Sequence, residues 1–341
     1  MAKSRGAKLC LIIAVVCAVG AVAAYFAPRV FYANFGYLAL GFQESRVPPE
    51  QVAAIRHGLG RLKGRVVWSS SRSGNHEIYL MRLPQLTITR LTRNDYVDFY
   101  PRFSPGGKRI VFARSQKPWV SERRYDPWDV YLLDLATGRE RLVVRNANFP
   151  VWAGPDRILF IRGRKVILRE LTTGREEVIL DGGADPVDAA ISTPELSPAD
   201  PNLLAFTGRG KMNGVFVAHL GQKTFTKIAG GACELTWFPD GRRLAWIGGG
   251  GRGKTRVMVS ALDPVSPSQL IDLPGTFSHE YFPRLSRDGR WLLWAASAGG
   301  HEHDIADYEL FLWRLDRPAS EAMRLTFNRA NDRWPDIFID R

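Results

Sequence analysis

Four of the six histidines of this 341-residue chain, His76, His279, His301 and His303, stand next to carboxylates. Glu77 follows the first, Glu280 the second, and Glu302 and Asp304 surround the last pair. Imidazoles and carboxylates are the ligand types for a divalent metal and the group types for acid–base work. Their spacing lacks the regularity of a zinc finger. A second set lies in RSQKPWVSERRYDPWD (114–129), where Trp119, Tyr125 and Trp128 alternate with Arg114, Lys117, Arg123 and Arg124. Aromatic faces beside guanidinium groups suit a sugar ring, an anionic group or a peptide. A third set is only apparent. GGGGRGKT (248–255) has phosphate-loop spacing, but that motif needs a helix directly after it to aim amides at phosphate, and the alternating TRVMVSAL that follows predicts a strand.

The elements that must position these residues repeat. FYPRFSPGGKRIVFA (99–113) returns as NFPVWAGPDRILFI, STPELSPADPNLLAFT, CELTWFPDGRRLAWIG and YFPRLSRDGRWLLWAA, with a truncated copy, RWPDIFID, at the C-terminus. Aligned on Pro101, Pro150, Pro194, Leu235, Pro283 and Pro335, the copies recur every 41 to 52 residues. That period fits a four-stranded propeller blade. Each copy reads as a strand, a tight turn with glycine at its positive-φ position, an apolar strand buried on both faces, and an alternating strand such as EIYLMR (77–82) or DVYLLDL (129–135). Arg90-Leu91-Thr92 and Arg324-Leu325-Thr326 announce the fourth strand. GRVVWSSSR (64–72) lacks a preceding first strand, and RWPDIF (333–338) lacks a following blade. The two complete one another, which predicts an all-β, six-bladed propeller over 64–341 whose ends close in one composite blade.

The combination of SRSGNHEIYLM, Arg-Leu-Thr and the proline-aromatic-Ser-Pro-x-Gly turn resembles the TolB-like propeller repeat, over about residues 64 to 340. The Gly-His and Trp-Asp signature of WD repeats is absent. The resemblance implies the fold; propellers of this type serve as binding platforms, lids and enzymes. The separate α/β domain that precedes the TolB propeller has no counterpart between the hydrophobic N-terminus and the first blade.

In such a blade, the loops between second and third strands share a face with the links between blades. That rule places His76, His279, His301, His303, Asp304, Asp95, Asp98 and the loop carrying Trp119, Arg123, Arg124, Tyr125 and Trp128 on one face. The leading expectation is a non-enzymatic propeller that binds an envelope protein, peptide or glycan there, without a cofactor. The alternative is a metal-dependent lyase or hydrolase built on the histidines with a divalent metal.

Residues 9–27 carry no charge and follow Lys3, Arg5 and Lys8. Segment 1–28 therefore reads as a signal peptide or, by its length, a signal-anchor in the inner membrane, with the propeller on the periplasmic side. Residues 29–63 read as a linker with a short amphipathic helix, since Val52, Ile55, Leu59 and Leu62 fall at helical spacing. Of three cysteines only Cys233 lies in the propeller, so no disulfide can form within it. The net charge of +13 favours anionic partners of the envelope, and export argues against nucleic acid.

Overall fold

The computed structural model describes residues 46–249, 254–300 and 302–340. The hydrophobic segment 1–28, the first part of the linker and His301 lie outside the described residues. Among those described, no helix is long and apolar enough to cross a membrane. The one α-helix of the described residues, α1 (Pro49–Leu59), begins on a proline and ends at Gly60, which adopts a φ of 57°. Its Ile55 and Leu59 are buried. A Cβ at Gly58 would collide with Met323 Sδ, so the helix lies close against the propeller rather than away from it.

The remaining regular structure of the described residues is strand, apart from one 3-10 turn. β1 (Gly64–Ser70), β2 (Glu77–Leu83) and β3 (Thr87–Arg90) form a sheet completed by the C-terminal strand. β4 (Asp98–Phe103), β5 (Arg109–Ser115), β6 (Trp128–Asp134) and β7 (Glu140–Val144) form the next. β8 (Asn148–Trp152), β9 (Arg157–Arg162), β10 (Lys165–Glu170) and β11 (Glu176–Asp181) form a third, and β12 (Ala189–Leu196), β13 (Leu203–Gly210), β14 (Gly214–His219) and β15 (Thr224–Gly230) a fourth. The last sheet has eight strands: β16 (Cys233–Trp237), β17 (Arg243–Gly249), β18 (Thr255–Ala261), β19 (Ser268–Ile271), β20 (His279–Leu285), β21 (Trp291–Ser297), β22 (Glu309–Arg314) and β23 (Met323–Arg324). Among the described residues its halves are joined only where Thr255 pairs with His279 in parallel. The result is an all-β, propeller-like fold. Thr255 opens a strand and not a helix, which disposes of the phosphate-loop spacing.

β24 (Asp332–Ile339) pairs antiparallel with β1, from Gly64 opposite Ile339 to Ser70 opposite Asp332. This is the pairing expected of the two incomplete repeats. A latch secures it. Asp332 accepts Arg72 Nη2 at 2.9 and 2.7 Å, Trp68 Nε1 at 3.0 Å and Asn328 Nδ2 at 2.9 Å, with Arg72 and Asp332 both buried.

The Arg-Leu-Thr endings have a structural reason. Glu77 accepts Arg90 Nη2 at 2.8 Å, the Asn94 amide at 2.7 Å and the Thr92 hydroxyl. Glu309 repeats the arrangement with Arg324 Nη2 at 2.9 Å and the Asn328 amide at 2.6 Å. A buried carboxylate is stable only when so surrounded.

The repeat proline marks a bulge. Phe99 pairs with Ala113 and Arg102 with Val111, so Tyr100 and Pro101 together oppose one residue of β5. The residue before the aligned proline or leucine has positive φ in every copy: Tyr100 (56°), Phe149 (50°), Thr193 (48°), Glu234 (51°), Phe282 (57°) and Trp334 (52°). A non-glycine residue there costs about 1–2 kcal/mol and persists where its surroundings over-determine it. The bulge leaves one amide off the ladder, and proline has none to leave unsatisfied. The glycine turn falls where the repeat predicts it, at Ser104–Gly107, where Gly107 N–H donates to Ser104 O at 2.9 Å, and the aligned Pro101 lies in the bulge before it.

Candidate functional site

The six bulges bring their αL residues together. Tyr100 lies 4.7 Å from Trp334 and 5.1 Å from Phe149 between ring centroids, and Phe282 lies 4.4 Å from Trp334. These four aromatics form a plug. Thr193 and Glu234 hold the corresponding positions on β12 and β16, and here the plug gives way to a cavity of about 460 Å³. Its walls include Glu122, Tyr125, Arg209, Glu234, Tyr281 and His303. It lies on the face of the links and the loops between second and third strands.

Glu122 anchors the long β5–β6 loop into this cavity. Its carboxylate meets His303 Nδ1 at 2.5 Å, Trp334 Nε1 at 2.5 Å and Arg333 Nη1 at 3.1 Å. Burial alone would raise the Glu122 carboxyl, but Arg333 and His303 outweigh it and hold it down at about 2. Burial pushes Glu234 up to about 7, only partly offset by His303. For His303 burial acts downward and the charges of Glu122 and Glu234 prevail, raising it. The Glu234 carboxylate also accepts the Phe282 amide at 2.7 Å and lies 3.6 Å from His303 Nδ1. Tyr281, 4.5 Å from the imidazole ring, is raised by burial and by Glu234. The floor of the cavity is thus an imidazole whose Nδ1 faces two buried carboxyls, Glu122 at 2.5 Å and Glu234 at 3.6 Å.

Asp304 stands behind that pair, accepting Ser121 Oγ at 2.5 Å and Arg333 Nη1 at 3.0 Å. Arg123 is exposed at the rim and approaches Glu302 at 3.4 Å, and Arg124 is exposed next to it in the loop. Tyr125 is half-buried, edge-on to Phe149 at 5.4 Å. Arg209, also exposed, is the second guanidinium that lines the cavity beside Arg123. Asp95 is exposed in the link before β4. Trp119 is half-buried, and its indole nitrogen is buried without an acceptor among the described residues.

Several expected contact residues are instead internal. Trp128 is fully buried against Phe99 at 4.4 Å, and its Nε1 donates to Arg124 O at 2.5 Å, so it supports the loop from beneath. Asp98 is buried and paired with Arg114 Nε at 2.7 Å. Both sit on strands whose side chains alternate into the packed layers.

The histidines separate in the same way. His76 is fully buried, its Nδ1 2.8 Å from Ser69 Oγ; burial, with Arg333 assisting, drives it well below the ordinary histidine range. His279 lies on β20 at the Thr255 bridge, and His303 alone of the described three lines the cavity. Among the described residues no three His, Cys, Asp or Glu side chains are grouped to hold a metal.

Glu122 and Glu234 went unnoticed in the sequence. Glu234 was findable: it is the one charged residue in a register otherwise held by Tyr, Phe, Thr, Phe and Trp. Glu122 carries no such signal, because nothing local tells which carboxylate of a loop folds inward.

No family model matches the chain. A Tol-Pal system protein TolB of Geobacter sulfurreducens is 39% identical over 51 residues, 15% of this chain and 12% of the relative. A TolB homolog of Chlorobium luteolum is 38% identical over 82 residues, 24% of this chain and 17% of the relative. The matches therefore span less than a fifth of either relative's length. The crystal structure of TolB from Acinetobacter baumannii superposes with a TM-score of 0.60 at 17% identity, over 80% of this chain and 66% of that one. At that identity the likeness is one of fold: the chain is similar to the TolB propeller.

Proposed function

We propose that the chain is an exported six-bladed propeller, not an enzyme, that binds an envelope protein, peptide or glycan at the axial cavity of its link face. The count of six treats the eight-stranded sheet as two blades, since one bridge joins its halves, and assigns one bulged strand to each blade. Segment 9–27 directs the domain to the periplasmic side of the inner membrane and anchors it there. The local similarity to the Tol-Pal system protein TolB supports a partner from the envelope.

The observation that carries the reading is the axial cavity itself. A floor of Glu122, His303 and Glu234 lies beneath a rim of Arg123, Arg209 and Tyr125. Guanidinium and phenol groups above a desolvated charged floor suit anchoring contacts at the centre of an interface. The test is affinity capture from envelope extracts with the wild-type protein and an Arg123→Ala/Arg209→Ala variant. An Arg139→Ala variant, altered in the β6–β7 turn on the opposite face, serves as control. The reading expects one envelope component to be retained by wild type and control and lost by the double variant. Equal retention by all three would refute it.

A further inference from the structure

On the turn side of the aromatic plug, the residues after the aligned proline or leucine form a second ring: Arg102, Val151, Glu195, Thr236, Arg284 and Asp336. They line a separate cavity of about 520 Å³, together with Arg287 and the turns that join first and second strands. The charges in this ring are unevenly matched. Arg284 takes both carboxylates, with Nη1 at 3.1 and 3.0 Å from the two oxygens of Glu195 and Nε at 3.3 Å from Asp336 Oδ1. The other Asp336 oxygen accepts the Phe103 amide at 2.7 Å.

Arg102 is left without a carboxylate. It is 3% exposed and makes no ion pair among the described residues. Its Nη1 donates to the carbonyls of Pro101 at 2.8 Å and of Trp334 and Pro335 at 3.3 Å, while Nε has no acceptor among the described residues. The guanidinium lies over the Tyr100 ring at 3.9 Å, which fixes its plane against the plug. Arg287 is exposed at the rim and, among the described residues, donates to Pro105 O at 2.7 Å. Three guanidinium groups thus face two carboxylates that are already engaged. A desolvated guanidinium without a counter-ion is costly unless an anion completes it.

We propose that this turn-face cavity is an anion site that receives the carboxylate or phosphate group of a small ligand, with Arg102 as the deep donor and Arg287 as the donor at the rim. Guanidinium edges pair with such groups by two parallel hydrogen bonds, which is why arginine recurs where they are recognised. The site lies beyond the plug from the link face, and its occupancy is independent of the binding proposed there.

The test is calorimetric titration of the whole protein at low ionic strength with succinate and, separately, inorganic phosphate. At least one probe is expected to bind at a single site. Arg287→Ala, at an exposed position that leaves the fold intact, should weaken that binding about tenfold, the loss of one charge-assisted contact. Arg102→Lys should weaken it further, and Arg123→Ala on the link face should leave it unchanged. Preference for succinate identifies a carboxylate ligand, and preference for phosphate a phosphorylated one. Absence of binding by both probes, or an affinity unaltered in Arg287→Ala, would overturn the proposal.

Discussion

Replacement of Asp332 by alanine should cost more stability than any single surface change, because it strands the guanidinium that closes the ring of strands. Arg72 is 1% exposed and Asp332 wholly buried. Two Arg72 contacts, the Trp68 indole and Asn328 all donate to this one carboxylate. Removing one partner of a buried ion pair costs about 3–5 kcal/mol, since the other charge remains desolvated. Arg72 keeps only Ser70 Oγ at 2.8 Å and the faces of Trp68 and Tyr79 at 5.2 and 5.0 Å. At roughly 2–4 °C per kcal/mol for a domain of this size, the melting temperature should fall by roughly 6–20 °C. Asp340 supplies the comparison. It joins the same two chain ends through Arg65 at 2.7 Å, but its side chain is 43% exposed, so Asp340→Ala should cost no more than about 1 kcal/mol. Adding Arg72→Met to Asp332→Ala should restore part of the loss, as removing both charges ends the penalty. Scanning calorimetry of the four proteins decides the matter. A melting temperature for Asp332→Ala within 2 °C of that for Asp340→Ala would refute the reasoning.

Two further outcomes follow from the link-face cavity. Glu234 is raised to about 7, and His303 is also raised. Each therefore binds more protons folded than unfolded, so the Glu234 contribution is full at low pH and is lost as pH rises through about 7, while that of His303 is lost as pH rises past its ordinary histidine range. Glu122, held at about 2, contributes in the opposite sense, and its share is lost only towards that pH. Denaturant melts should show stability declining between pH 5 and 8, with Glu234→Gln flattening the slope by roughly 1–3 kcal/mol over that span; an unchanged slope would contradict the assignment. The tryptophans of the β5–β6 loop should behave differently in the same melts. Trp119→Phe removes an indole N–H that has no acceptor and should be neutral or stabilising, by up to about 1–3 kcal/mol, whereas Trp128→Ala, in the packed interior, should cost about 3–5 kcal/mol.

The blades were readable because three local signals agree: the two-residue alternation of EIYLMR, the glycine turn at Gly107, and a period that suits a four-stranded sheet and exceeds most helical repeats. Closure was readable for the same reason, since RWPDIF lacks a blade and GRVVWSSSR lacks a first strand. The site was less so. Side chains of strand residues such as Trp128 and Asp98 follow the pleat into the layers, and a face assigned by loop topology does not say which way a side chain points. The histidines illustrate this: His76 begins the strand side of its loop and turns inward to Ser69, while His303 crosses to Glu122, 181 residues away in sequence. What local reasoning lacked was the bulge. It re-aims one residue of each innermost strand at the axis, and so makes Glu234 rather than any histidine the charged residue of the inner ring.

The central claim, that the link-face cavity is where this propeller meets its partner, is tested most directly by photocrosslinking in living cells. A photoreactive residue placed at Tyr125, at the rim, should give one discrete adduct with an envelope component. The same residue at Arg139, on the opposite face, should give none. Adduct formation from Arg139 with none from Tyr125 would contradict the account.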